Sequence, residues 1–178
     1  MQAMSSSQNP RPGRASCGEP KGNSKGNRIT DAVLSVVVKR FSETERQEFL
    51  AAKRVAILSV EAADGRPPAT IPIWYDYAIG GNIRFTTSAA SRKAKLIARA
   101  GAVSLAVQRE QPPYQYVVVE GTVVDTRPST LEVQEAIAIR YLGEEAGRAF
   151  VRDFERTDST LFTIRPDRWL TADATGDS

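Results

Sequence analysis

Arg92, Lys93 and Lys95 are the residues in this chain best suited to bind an anion, because they gather cations where a helix is expected to begin. They end the run Ile83-Arg84-Phe85-Thr86-Thr87-Ser88-Ala89-Ala90-Ser91-Arg92-Lys93-Ala94-Lys95, in which a short apolar strand leads through hydroxyl residues into that helix. A helix N-terminus presents unpaired backbone N–H groups and a partial positive charge, so cations there are normally unfavourable. A bound phosphate reverses the sign of that conflict. Ser91, with Thr86, Thr87 and Ser88, would contribute neutral hydrogen bonds, and Arg92 and Lys93 charge-assisted ones. The alternative is an exposed helix start whose cations are simply solvated.

Missing residue types narrow the chemistry further. The chain of 178 residues has no histidine, which excludes a Ser-His-Asp triad, a Cys-His pair and His-ligated zinc or haem. Cys17 is the only cysteine and stands in a polar stretch, so neither an intrachain disulfide nor a thiolate metal cluster is expected. The formal charge of +3 is concentrated at the start: residues 1–28 hold five of the 24 cations and one of the 21 acids, leaving 19 against 20 in the rest. A basic tail on a neutral body gives little reason to expect nucleic-acid binding. No apolar run approaches the ~20 residues that span a bilayer and no apolar leader stands at the start, so the expected location is the cytoplasm.

The positioning elements follow from pattern. Residues 1–28, rich in Ser, Gly, Pro, Asn and Lys, cannot bury enough apolar surface to order themselves and read as a disordered basic tail; 29–178 reads as one domain. Segment 29–41 fits strand or helix. Ser42 with Glu45 forms a capping-box pattern that predicts a helix over 43–53. Strands are expected at 55–61 and 69–77, joined by a turn at Asp64-Gly65, and Pro72 pushes the second toward an edge or bulge. Further strands are expected at 82–87, 102–108, 114–125 and 160–165, with helices at 91–100, 129–141 and 144–154. Six short strands, mostly in hairpins, with helices between them predict a mainly β protein with flanking helices, built as a small antiparallel barrel.

The order of elements resembles the FMN-binding split barrels related to pyridoxamine 5'-phosphate oxidase. The residues that carry the resemblance are Val55-Ala56-Ile57-Leu58-Ser59-Val60, Asp64-Gly65-Arg66-Pro67, Ile71-Pro72-Ile73-Trp74-Tyr75-Asp76, Arg84-Phe85-Thr86-Thr87, Ser91-Arg92-Lys93-Ala94 and Val117-Val118-Val119-Glu120-Gly121-Thr122. The Ser-Arg-Lys-Ala element is the most specific. The Pro-Ile-Trp-Tyr-Asp strand and the segment 112–121 are most similar to the deazaflavin-using branch of the family, which binds coenzyme F420, a hydride carrier with a phosphate and an acidic oligoglutamate tail.

The resemblance implies a six-stranded split β-barrel and a homodimer with two cofactors at the subunit interface. It also implies an oxidoreductase that passes hydride from reduced deazaflavin to an oxidised small molecule. An FMN-dependent oxidase-like enzyme and a non-catalytic flavin- or deazaflavin-binding protein are the alternatives. The implied cofactor contacts are Thr70, Ile71, Pro72, Ile73 and Trp74 along the ring, Thr86, Thr87, Ser91, Arg92 and Lys93 at the phosphate, and Gln108 near the ring. No metal is implied. The C-terminal Arg and His that handle substrate in true pyridoxamine phosphate oxidases have no counterpart in a chain without histidine and ending Arg168-Trp169-Leu170-Thr171-Ala172-Asp173 before its last five residues. The tyrosines Tyr75, Tyr77, Tyr114 and Tyr116 alternate in pairs, which fits sheet packing or a dimer interface.

Overall fold

The computed structural model describes residues 39–63, 65–154 and 158–174. The tail 1–28, most of the ambiguous segment 29–41 and Asp64 of the expected turn lie outside these residues. The described chain runs α1 (Glu43–Ala51), β1 (Ala56–Val60), β2 (Ala69–Ile73), β3 (Asp76–Tyr77), β4 (Ile83–Ser88), α2 (Arg92–Ala100), β5 (Ala102–Gln108), β6 (Gln115–Pro128), α3 (Leu131–Leu142), α4 (Glu144–Asp153) and β7 (Ser159–Asp173). Its seven strands form one antiparallel sheet in the order β2-β1-β5-β6-β7-β4-β3.

Local chemistry accounts for the helix boundaries. The Ser42 hydroxyl accepts from the Glu45 N–H at 3.3 Å while the Glu45 carboxylate accepts from the Ser42 N–H at 2.7 Å, so the capping box starts α1. Ser91 caps α2 by accepting from the Ala94 N–H, and Gly101 ends that helix at φ 67°, in the left-handed region that glycine tolerates. Period-two alternation fills the core. Ala56, Leu58 and Val60 of β1, Val103, Leu105 and Val107 of β5, and Val117 and Val119 of β6 point inward, against Phe49 and Leu50 of α1 and Leu96 and Ile97 of α2. Phe85 of β4 and Phe162 of β7, paired directly in register, stack at 5.6 Å.

Two strand expectations change. The single strand over 69–77 is divided into β2 and β3 at Trp74 and Tyr75, because a side chain takes the place of a neighbouring strand there. The Tyr141 hydroxyl accepts from the Tyr75 N–H at 3.2 Å. The sheet therefore has seven strands, where six are expected from the sequence. The last strand runs on through Asp173 and does not stop at 165: Gly121 pairs with Pro166 and Glu120 with Arg168, so Asp167 is the extra residue of a bulge that absorbs the proline. Asp167 accepts from the Thr122 hydroxyl and the Arg165 guanidinium, each within 2.7 Å. Gly121 is required at this bulge, since a Cβ there would lie 2.6 Å from the Arg165 carbonyl oxygen.

The outer face of the sheet carries an apolar row. Pro72 pairs with Ile57, Ile57 with Ala106, Ala106 with Val118 and Val118 with Leu170, so one line of side chains crosses five strands. Ile57 is 38% and Leu170 56% exposed. The adjacent row, Thr70, Ser59, Ser104, Glu120 and Arg168, is polar.

Candidate functional site

β2 and β4 lie toward opposite ends of the sheet order and do not pair, and a cavity of about 560 Å³ occupies the gap between them. Pro72, Ile73 and Trp74 form one wall, Thr86, Thr87, Lys93 and Ser159 form the end beside α2, and the α3–α4 hairpin closes the other side with Gln134, Ile137, Ala138, Phe150, Val151 and Phe154. Six of the eleven residues expected from the sequence thus meet around one space, although they come from two separate segments, 72–74 and 86–93.

The polar end is specific. Among the described residues, Thr87 and Ser159 are the two buried polar side chains apart from tyrosines, and both line this cavity. Burying a hydroxyl in an apolar site costs free energy unless it finds a partner, so the pair marks a place built for polar contact. The Thr87 and Ser91 hydroxyls approach to 3.5 Å. Because Ser91 uses its oxygen to cap α2, its proton remains available to donate. Among the described residues, Lys93, which is half-buried, is the only charged side chain on the cavity wall, while Arg92 and Lys95 are exposed on α2. No acidic residue stands in the first turn of α2. Ser88 is committed elsewhere: its hydroxyl donates to the Asp158 carboxylate.

The remaining expected residues are apart from this lining. Thr70 is exposed, with its hydroxyl 3.2 Å from that of Ser59, and Ile71 packs against the core cluster. Gln108 opens into a second groove of about 600 Å³ with Lys53, Arg54, Ile57 and Tyr116. Tyr75 and Tyr77 are core residues, whereas Tyr114 and Tyr116 are 62% and 40% exposed.

A support joins the cavity wall to α1. Tyr75 is fully buried and donates to the Leu50 carbonyl at 2.7 Å. Arg140 of α3 donates to the Ala51 and Ala52 carbonyls at 2.7 and 2.9 Å, so a cation completes the C-terminal end of α1, whose own last turn has none. Tyr141 donates to the Arg54 carbonyl at 2.7 Å, and its ring stacks on Trp74 at 5.0 Å with 6° between the planes. Burial pushes the Tyr75 and Tyr141 hydroxyls above the usual tyrosine range, with Arg140 opposing, and both stay neutral at ordinary pH. Gly147 lets the two helices of the hairpin touch, since a Cβ would lie 2.6 Å from Ile139 backbone atoms.

Sequence reasoning missed Ser159, Tyr141 and the wall from α3 and α4. Nothing local signals them, because a serine at a strand start and a tyrosine at a helix end are ordinary until the fold brings them against Thr87 and Trp74. Among the described residues, no His, Cys, Asp or Glu cluster could hold a metal ion, and no helix is long and apolar enough to cross a membrane.

One antiparallel sheet, with helices packed on it and an open seam between β2 and β4, is a split barrel. A profile of the pyridoxamine 5'-phosphate oxidase family matches residues 42–173, and the chain belongs to that family. Solved structures share the fold. One is an F420 reductase, 23% identical, with a TM-score of 0.58 over 70% of this chain and 94% of that one. Another, a conserved hypothetical protein from Mycobacterium tuberculosis, is 23% identical, with a TM-score of 0.62 over 76% and 87%. An FAD-binding protein from Mesorhizobium loti is 19% identical, with a TM-score of 0.58 over 78% and 99%. No curated protein matches the chain in sequence.

Proposed function

We propose that the protein is a cytoplasmic, homodimeric oxidoreductase that uses coenzyme F420 to reduce an oxidised small molecule. The observation that carries this reading is the cavity between β2 and β4. It has one polar, cationic end (Thr86, Thr87, Ser159, Lys93) and, apart from Gln134, an apolar lining with aromatic Trp74, Phe150 and Phe154, which suits a planar ring joined to a phosphate. When bound, the cofactor supplies a two-electron donor. Lys93 and the Thr86, Thr87 and Ser91 hydroxyls would hold the phosphate, and the segment from Thr70 to Trp74 would lie along the ring. Arg92 and Lys95, exposed beside Lys93, favour a cofactor with an acidic tail over FMN, which has none.

Among the described residues, the cavity lining contains neither a carboxylate nor a tyrosine, and the Tyr141 hydroxyl is occupied by backbone groups. The contribution of these residues is to bind, orient and exclude water. The apolar row from Pro72 to Leu170 supports the homodimer, since exposed apolar patches of this kind mark interaction surfaces. Gln108 opens on the same face as that row, where a partner subunit would bring it toward a second cofactor. The test is to mix the protein with reduced F420 and a panel of quinones and conjugated carbonyl compounds, and to follow the return of oxidised-cofactor fluorescence. Protein-dependent oxidation that stops on heat denaturation is expected. Tight binding without oxidation across the panel would instead assign a cofactor-binding protein without turnover.

A further inference from the structure

We propose that Tyr141 is a positioning residue of the site, acting through Trp74. Its ring lies parallel to the Trp74 indole at 5.0 Å, and Phe150 approaches the same indole at 5.3 Å with its ring tilted by 50°, so Trp74 is held by α3 and α4 as it enters the cavity wall. The Tyr141 hydroxyl accepts from the Tyr75 N–H at 3.2 Å and donates to the Arg54 carbonyl at 2.7 Å. These bonds tie the helix to the residues on either side of β1 and β2. The Tyr75 N–H is thereby satisfied without a neighbouring strand, which adds stability, while the stacked ring holds Trp74. A tyrosine is suited to this place because it brings a flat apolar ring and one polar tip together. Arg140 alongside, bonded to the Ala51 and Ala52 carbonyls, keeps the end of α3 in register with α1.

The functional consequence depends on the cavity being the cofactor site, but the orientation of Trp74 can be measured without any ligand. In a Trp169→Phe background Trp74 is the single tryptophan. There, Tyr141→Leu is expected to raise the acrylamide quenching constant of Trp74 about twofold and to weaken F420 binding about tenfold. Tyr141→Phe keeps the stacked ring and should leave both within about a factor of two, while its thermal midpoint falls through loss of the hydroxyl bonds. The proposal is overturned if Tyr141→Leu lowers the midpoint alone, with quenching and affinity unchanged, or if Tyr141→Phe loses affinity as severely as Tyr141→Leu. Fluorine NMR of 5-fluorotryptophan at Trp74 decides the matter even if Tyr141→Leu does not fold. One narrow resonance in the otherwise native protein supports a fixed ring, and several exchanging resonances overturn it. If the native protein binds no cofactor, the functional reading fails while the quenching and fluorine signals still judge the role of Tyr141.

Discussion

Replacing Lys93 and Arg92 separately by alanine discriminates between the cavity and the surface of the same helix turn. Lys93 lines the cavity and is half-buried, whereas its neighbour Arg92 is exposed. A hydrogen bond to a charged group contributes about 1.5 to 3 kcal/mol, which corresponds to roughly tenfold to 150-fold in affinity. Partial burial also limits screening by salt at Lys93. Lys93→Ala should therefore weaken F420 binding by at least about tenfold, with a loss that persists at high salt. Arg92→Ala, acting in high-dielectric solvent, should change affinity only about threefold, and that change should vanish at high salt. The assay is a fluorescence titration of each variant with F420 at low and high ionic strength, with denaturation midpoints to confirm folding. An Arg92→Ala loss equal to or larger than that of Lys93→Ala would refute the placement of the phosphate at the cavity end.

Other consequences are open to separate tests. Gly147→Ala should destabilise the protein by about 1 to 3 kcal/mol, because the added methyl would meet Ile139 backbone at 2.6 Å; an unchanged urea midpoint would contradict the close contact of α3 and α4. Ile57→Arg, in the middle of the apolar row, should convert a dimer to a monomer in sedimentation velocity, and a native protein that is already monomeric would exclude that face as the interface. Alkaline stability carries a signature of the buried tyrosines. Because the folded Tyr75 and Tyr141 titrate above their unfolded value near 10, their contribution is complete below pH 10 and is lost as pH rises beyond it. Denaturation midpoints should be flat from pH 8 to about pH 10 and then fall, with a shallower fall for Tyr75→Phe.

Much of this architecture was legible because its signals are local. Ser42 with Glu45 and Ser91 with Ala94 mark helix starts through bonds three residues apart, and the alternation in Ala56–Val60 and Ala102–Gln108 places the core face directly. What failed depended on distant partners. The break at Trp74 and Tyr75 is made by Tyr141, 66 residues from Tyr75 in sequence, and the extension past Pro166 depends on a bulge opposite Gly121. The site divides in the same way. Thr86, Thr87 and Lys93 stand within one strand–helix segment and could be read together, whereas Ser159 and the wall from α3 and α4 join them only through the pairing of β4 with β7 and the packing of the hairpin. Gln108 was grouped with the ring contacts by resemblance, yet within one subunit it opens into a different groove.

The most direct measurement is a side-by-side titration of the purified protein with F420 and FMN, read by tryptophan quenching and cofactor fluorescence. Saturable F420 binding at micromolar concentration or tighter is expected, at least about tenfold stronger than FMN, with quenching that disappears in Trp74→Phe. Preferential FMN binding, or binding of neither cofactor, would contradict the proposed function.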